Sequence, residues 1–453
     1  MSAYSSYQPT DLPWVRSIPQ HWRMVRNGAV LTWKQKKVGK SFEQFDLLSL
    51  TTTGIRVKDI NNVQGKVPAS YESYQEVMPR EMVFCLFDLD CSAVFAGNSH
   101  YHGMITSAYD VATPNESEIS PAFLDYWFVS VFAGRHYKMY SKSVRYTINW
   151  DIFKAIKLPV PPRAEQDQIV RYLDWRVSKI NSLIAAKKKQ IAILKERKQQ
   201  VIAYIVTHGI TKDVNTRESG VDYIGQIPAH WKVLLNGRIY KENSRSFSGE
   251  PLVLSLSQKD GLIPYQDMTE RSLHTSSYDN WKLVKPNDLV LNRFKAHLGV
   301  FFASTYEGIV TFHYGVYEPK IAINSKYYEA LYHTNEYKNK YAGQSNGMTV
   351  GLQNLSNRNF YSVYSVYPPY EEQCLIVDRI NEIEESTKAL ISEISAFIDG
   401  LHELRTRLIS DVVTGQVDVR GVEVPDFEYV ADEADEASDE DNADEDNSVD
   451  EEV

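Results

Sequence analysis

Two stretches of this chain carry apolar residues at alternating steps of four and three. From Leu173 the stepping gives Val177, Ile180, Ile184, Lys187, Ile191, Leu194, Lys198, Val201 and Ile205, eight of ten positions apolar. From Ile376 it gives Ile380, Ile383, Thr387, Leu390, Ile394, Phe397, Leu401, Leu404, Leu408 and Asp411, nine of eleven. A seam of period 3.5 held over five heptads predicts a coiled-coil helix rather than an ordinary surface helix. Each seam follows a proline pair, Pro161 with Pro162 or Pro368 with Pro369. Proline disfavours helix just before it and permits helix just after, so both helices are predicted to begin there. The stretches upstream, roughly 1–160 and 221–367, are rich in aromatic and β-branched residues, with short apolar segments at 82–87 and 288–291 set among Gly, Asn and Pro. They predict mixed α/β globules containing a twisted sheet.

The two halves share a register. Ile18, Pro19, His21 and Trp22 return as Ile227, Pro228, His230 and Trp231. Glu165, Gln166, Ile169 and Val170 return 207 residues later as Glu372, Gln373, Ile376 and Val377. Between these anchors Leu48 and Leu50 answer Leu254 and Leu256, Gly54 answers Gly261, and Val77, Pro79, Met82 and Val83 answer Val284, Pro286, Leu289 and Val290. A unit of this size that occurs twice is a duplicated domain, not a short solenoid repeat. Two copies imply a grip on two similar targets at a fixed separation.

Charge selects the pairing of the helices. Residues 165–207 hold nine basic and four acidic side chains, and 371–412 hold four basic and ten acidic. Each exposed pair is worth only about 0.2–1 kcal/mol, but a consistent sign along each helix disfavours self-association and favours the other helix. A helix of about 42 residues is roughly 63 Å long, and the linker 211–223 spans at most about 45 Å, so the second helix is expected to return antiparallel. The expectation is an α+β fold: a globule at 1–160, a long helix at 161–210, a second globule at 211–367, a second long helix at 368–415 and an acidic tail at 416–453. The two helices form an antiparallel coiled coil that separates the globules about a pseudo-two-fold.

The net charge of −10 changes meaning once the tail is set apart. From Asp426 to the end there are fifteen acidic residues and no basic one, so residues 1–425 carry +5. A segment so acidic and so poor in bulky apolar groups is expected to be disordered. With 453 residues the chain is long enough for two or three domains. No apolar run approaches the roughly 18–20 residues of a membrane span, and no export signal opens the chain. Cys85, Cys91 and Cys374 are too few for a disulfide framework. The expected location is the cytoplasm.

Catalytic signatures are missing from the sequence. Gly39, Lys40 and Ser41 mimic the end of a phosphate-binding loop, but Lys34 stands where its first glycine belongs. No nucleophile elbow, zinc helix or glycine fingerprint for a dinucleotide or for S-adenosylmethionine occurs. His100 and His102 lack Cys, Asp or Glu partners at zinc spacing, so no metal is expected. The segment Tyr367, Pro368, Pro369, Tyr370 resembles the loop with which amino-methyltransferases hold a flipped base. Its first position is Tyr rather than Asn or Asp, and the other copy reads Val160, Pro161, Pro162, Arg163, so it reads as a helix start. No catalytic residue and no cofactor is expected in this chain.

The three duplicated motifs, Ile-Pro-x-His-Trp, Pro-Pro-x-x-Glu-Gln-x-x-Ile-Val and the helix-closing Val-Thr before Gly209 and Gly415, resemble those of the specificity subunit of type I restriction-modification systems. The resemblance covers about residues 10–421. It implies two target-recognition domains, each reading half of a bipartite site in double-stranded DNA, spaced by the helices. It also implies no catalysis in the chain itself, docking of two methyltransferase subunits that bind S-adenosylmethionine, and two motor-nuclease subunits in the full complex. The acidic tail departs from the family pattern.

Candidates for DNA contact are basic and amide residues interleaved with aromatics in loop-like stretches. They are Lys34, Lys36, Lys37, Lys40, Lys142, Arg145 and Tyr146 in the first globule, and Arg245, Asn292, Arg293, Lys295, Gln344, Ser345 and Asn346 in the second. Lys and Arg hold phosphates or guanine edges, and Asn and Gln pair with adenine. Each globule is only about +3, so the isolated chain is expected to bind DNA weakly. Trp22 and Trp231 read as core.

Overall fold

The computed structural model describes residues 3–59, 70–211, 213–243, 245, 247, 249, 251–258, 261–268, 278, 280–345 and 354–431. The chain mixes helix and strand and divides into two units, one formed by 1–189 with 394 onward and the other by 190–393. Among the described residues, no helix is long and apolar enough to cross a membrane.

In the first unit β1 (Tyr7–Pro9) pairs with β2 (Ser17–Pro19), and β3 (Arg23–Arg26) with β12 (Lys157–Val160). An antiparallel sheet follows in the order β4 (Leu31–Lys34), β11 (Asp110–Pro114), β8 (Met82–Phe84) and β9 (Ala96–Asn98). A second sheet runs β6 (Gly54–Lys58), β5 (Asp46–Thr51), β10 (Gly103–Ile105) and β7 (Gln75–Val77), with β5 and β10 parallel. Helix α1 (Pro121–Ala133) lays Phe123, Leu124, Trp127 and Phe128 into the core with Phe84 and Phe95.

The second unit has β13 (Thr216–Glu218) on β14 (Gln226–Pro228) and β15 (Lys232–Leu235) on β24 (Tyr364–Tyr367). Its four-stranded sheet runs β16 (Tyr240–Glu242), β23 (Tyr314–Pro319), β20 (Leu289–Asn292) and β21 (Phe301–Ala303), the counterpart of the order β4, β11, β8 and β9. The pairs β17 (Leu254–Ser257) with β18 (Gly261–Pro264) and β19 (Lys282–Val284) with β22 (Gly308–Val310) complete it. Its core is built on tyrosines, Tyr327, Tyr328, Tyr332, Tyr337 and Tyr341, from α2 (Ser325–Tyr332) and α3 (Asn335–Gln344).

Two long helices stand where the proline pairs predict them. Arg163–His208 is one helix of 46 residues and Tyr370–Val413 one of 44. Within the first unit Asn181 accepts a hydrogen bond from Arg405 at 2.9 Å, and Lys187 lies 5.5 Å from the Phe397 ring. Rising numbers on one helix meet falling numbers on the other, which is an antiparallel pairing. In the second unit Lys198 approaches Glu384 at 4.0 Å.

The expected heptad seam holds on the first helix except at Val201, which is exposed, and breaks on the second. On Tyr370–Val413, Phe397 and Leu404 are 49% and 51% exposed. The inward stripe passes instead through Ile376, Ile380, Ile383, Thr387, Ile391, Ile394, Ile398, Leu401, Arg405, Ile409 and Val412. Those steps average near 3.6, the period of a straight helix, which drifts about 20° per heptad from a strict 3.5 seam.

The paired motifs are anchors of packing. Glu165 accepts from Trp22 Nε1 at 3.0 Å and meets His21 Nε2 at 2.7 Å; Glu372 accepts from Trp231 Nε1 at 2.9 Å and meets His230 Nε2 at 2.6 Å. Gln166 accepts the Ser120 N–H and donates to the Pro161 carbonyl, and Gln373 does the same with Asn324 and Pro368. Each thus ties the first turn of a long helix to the globule before it.

The disorder expected of the tail from residue 416 is corrected by the structure for residues 416–430. Residues 416–430 form an extended strap on the first helix, with Val419 and Val424 buried. Gln168 donates to the carbonyls of Val419 and Val422 at 3.0 and 2.7 Å, Arg171 to Val424 at 3.1 Å, Ser178 to Glu428 at 2.9 Å and Asn181 to Val430 at 3.0 Å. The valines supply the apolar burial that the segment's average composition conceals. Residues 432–453 lie outside the described residues.

Candidate nucleic-acid interface

Strand β4 of the first unit ends in a cluster of lysines facing buried carboxylates. Lys34 Nζ lies 2.8 Å from Glu81 and 3.8 Å from Glu76, and Lys36 Nζ 2.6 Å from Glu76. Glu81 also accepts the Met78 N–H at 2.8 Å, which fixes the turn before β8. Lys36 beside Glu76, helped by His102, holds that carboxyl below its ordinary range. Lys37 and Lys40 are exposed, the first bridging to Gln75 and the second in a short 3-10 turn (Gly39–Gln44).

The other candidates of this unit share one loop. Ser141 Oγ donates to the Thr147 carbonyl at 2.9 Å and Thr147 N–H to Ser143 Oγ at 2.8 Å, which closes the loop on itself. Arg145 grips Asp88 through two bonds of 3.0 and 2.8 Å, Lys138 sits 4.1 Å over the Tyr146 ring, and Lys142 is exposed. The loop therefore presents cations from a fixed frame.

In the second unit Arg245 Nη2 spans both oxygens of Asp288 at 2.8 and 2.9 Å and reaches Glu318 at 2.9 Å. Asp288 is the counterpart of Glu81: it is buried and accepts the Lys285 N–H at 2.8 Å. Burial pushes its carboxyl above the ordinary range, against the pull of Arg245. Arg293 meets Glu242 at 2.7 Å and Asn357 at 2.8 Å, and Lys282 joins the same carboxylate at 3.3 Å. Burial and the nearby Arg293 lower the Lys282 pKa.

Asn292 Oδ1 accepts from the N–H groups of Phe294 and Lys295 at 3.0 and 3.3 Å. It therefore caps the 3-10 turn Arg293–Leu298, and the bidentate pairing with adenine expected of it would break that cap. Lys295 is exposed on the turn. Ser345 donates to the Tyr341 carbonyl at 2.8 Å, and the half-buried Gln344 accepts from Asn359 through its backbone carbonyl at 2.6 Å. Both end helix α3. Asn346 lies outside the described residues.

The structure thus gathers Lys34, Lys36 and Lys37 on one strand end, Lys142, Arg145 and Tyr146 in one loop, and Asn292, Arg293 and Lys295 in one turn. Arg245 stands on a separate ion-pair cluster. Sequence reasoning passed over Lys282, Trp33 and the exposed aromatics Phe294 and Phe312. Trp33 stacks on Trp150 at 5.9 Å and donates to Asp110 at 3.0 Å; its place one residue before Lys34 was a usable signal. Five of the basic candidates are held by carboxylates, so each unit offers cations already oriented at modest net charge.

Residues 232–398, which contain this second cluster, match the family model described as the type I restriction modification DNA specificity domain. This part of the chain is similar to a type I DNA specificity domain. The putative type I restriction enzyme MjaX specificity subunit of Methanocaldococcus jannaschii is 24% identical over 228 residues, 49% of this chain and 51% of that protein. The type I restriction enzyme MjaVIII specificity subunit of the same organism is 35% identical over 83 residues, 18% of each. The chain thus spans about half the length of the first of these relatives and less of the second. A chain solved in work on complex assembly and conformational transition of the type I R-M system covers 88% of this chain with 99% of its own length, at a TM-score of 0.61 and 14% identity. That likeness is one of fold. Within the matched residues 232–398 lie Arg245, Asn292, Arg293, Lys295, Gln344 and Ser345, together with Glu372 of the second anchor.

Proposed function

We propose that this chain is the DNA sequence-specificity subunit of a type I restriction-modification complex. The observation that carries the reading is the twin anchor. Glu372 of the specificity domain holds His230 and Trp231 as Glu165 holds His21 and Trp22, so one matched domain argues for a second of the same kind in residues 1–160.

Each globule, 1–160 and 211–367, then reads half of a bipartite site in double-stranded DNA. The long helices, 161–210 and 368–415, form an antiparallel spacer that sets the gap and docks two methyltransferase subunits. S-adenosylmethionine binds in those partners, and two motor-nuclease subunits complete the assembly, so this chain performs no chemistry of its own and works in the cytoplasm. Lys37, Lys40, Lys142 and Lys295 hold phosphates from exposed positions, while Arg145, Arg245 and Arg293 are aimed by their carboxylates.

The test exchanges residues 1–160 for the matching globule of another such subunit and maps N6-methyladenine in host DNA. The expected outcome is a split motif of which one half changes and the other stays. An unchanged motif overturns the reading, as does methyl transfer to DNA by the purified chain alone.

A further inference from the structure

The two units build the same turn and arm it differently. In the first, Tyr109 N–H donates to the Thr106 carbonyl at 3.2 Å; in the second, Tyr314 N–H donates to the Thr311 carbonyl at 3.2 Å. Both turns lead into the strand that crosses the central sheet, β11 or β23. The two residues at the tip are Ser107 and Ala108 in the first unit but Phe312 and His313 in the second. Turn tips ordinarily carry Gly, Asn, Asp, Ser or Pro, for reasons of backbone geometry and solvation. A phenylalanine 54% exposed at such a tip leaves more than half of its apolar surface in water.

Its surroundings indicate what it meets. The Phe312 and His313 ring centroids lie 3.9 Å apart, and Phe294, 43% exposed, is 6.5 Å from His313. In the sheet Asn292 is paired with Tyr314, so the turn Arg293–Leu298 and the tip leave the sheet at the same end. Lys282 reaches that end too, donating to the Tyr314 carbonyl at 2.8 Å. Exposed rings set among Lys282, Arg293 and Lys295 match the chemistry of a nucleic acid, whose phosphates attract the cations while its bases accept the rings.

We propose that Phe312, backed by His313, is a base-reading wedge of the second unit that enters a base step of double-stranded DNA. This deepens the specificity-subunit reading and rests on it. Insertion of an apolar side chain partly unstacks a step, at a cost that depends on the step. The wedge therefore selects for an easily unstacked step in the half-site read by this unit. The first unit, with Ser107 and Ala108 at the same tip, reads its half-site without one.

The experiment uses the full-length chain at low salt and a pool of random duplexes. The wild-type chain, Phe312→Trp, and the double variant Phe312→Ser with His313→Ala each select sequences, and affinities are measured on the wild-type selection. The double variant carries the residues with which the first unit builds the same turn, so it folds, and its unchanged melting temperature checks this. It is expected to lose at least tenfold in affinity and to lose its preference at one step of one half-site, while Phe312→Trp keeps both. 2-Aminopurine at that step brightens with the wild-type chain and stays dark with the double variant. If the wild-type chain selects a split sequence and the double variant selects it unchanged with equal affinity, the wedge alone is overturned. If the wild-type chain selects no sequence, the specificity reading falls and the wedge with it.

Discussion

The indole N–H of Trp22 donates to Glu165 Oε1 at 3.0 Å across 143 residues of chain. The same carboxylate accepts the Tyr4 hydroxyl at 2.6 Å and meets His21, and it is buried. Among the described residues Glu372 carries the Trp231 and His230 counterparts without a third donor, and it is 36% exposed. The first anchor is thus the more enclosed of two built alike.

Replacing Glu165 with Ala strands two buried donors, and an unsatisfied buried polar group costs about 1–3 kcal/mol. A loss of roughly 3 kcal/mol is expected for Glu165→Ala and about 1 kcal/mol for Glu372→Ala, where water reaches the vacated site. Glu165→Gln keeps an acceptor for Trp22 and falls between. Thermal denaturation of the three variants checks the order, which a larger effect at Glu372 would reverse.

Much of this was written plainly in the sequence, and what was hidden has physical reasons. The proline pairs locate both helix starts because proline's constraint is local. Glu165 was visible as half of a repeated motif but not as an acceptor, since its partners lie far back in the chain. The valines at 417, 419, 422 and 424 carried a signal of burial, masked by the acidic residues beyond them. Phe397 and Leu404 were placed in the seam because a 3.5 and a 3.6 stepping differ by only one position over several turns. The basic candidates were legible by type, but Glu76, Glu81, Asp88, Glu242 and Asp288, which orient them, come from other elements.

Asp125 on α1 makes the stability of the first unit pH-dependent. Burial pushes its carboxyl up to about 7, with Asp174 adding to the shift and the Asn98 N–H opposing it. A folded-state pKa raised above the unfolded one contributes stability in full below the ordinary carboxylate value. That contribution is lost as pH rises through about 7. The change is on the order of 4 kcal/mol. Asp125→Asn keeps the acceptor for Asn98 and is expected to flatten the slope and to melt higher than wild type at pH 8. His333 in the second unit has the opposite sign: burial lowers it to about 4, so its contribution is complete above the ordinary imidazole value and declines as pH falls toward 4. Melting curves from pH 4 to 8 separate the two.

The strap predicts a local effect of truncation. Ending the chain at Gln416 removes the burial of Val419 and Val424 and the bonds from Gln168, Arg171, Ser178 and Asn181. Burying one valine is worth about 1.5–3 kcal/mol, so the first unit is expected to lose about 3 kcal/mol. Hydrogen exchange then rises in residues 163–189 and stays unchanged in 194–208. Ending the chain at Ala431 instead leaves both stretches as protected as in the full chain. Uniform deprotection along the whole helix by the shorter truncation contradicts a local clasp.

Lys295 and Arg293 stand two residues apart and are expected to fail differently. Lys295 is exposed on its turn, so as a phosphate contact it contributes charge without sequence information. Lys295→Ala should weaken all duplexes alike and reduce the slope of log affinity against log salt by about one. Arg293 is held by Glu242 and Asn357, and on the proposed DNA-facing role of this turn Arg293→Ala leaves the Glu242 carboxylate toward the duplex with Lys282 as its remaining cation among the described residues. The variant then loses an oriented donor and uncovers a carboxylate that repels the phosphates, which costs roughly 1–3 kcal/mol on the preferred duplex. Specificity relaxes in one half-site, because a matched base loses the donor while every duplex meets the repulsion. Salt titrations of both variants on preferred and scrambled duplexes decide it. Equal losses on both duplexes for Arg293→Ala would leave that arginine as a phosphate contact only.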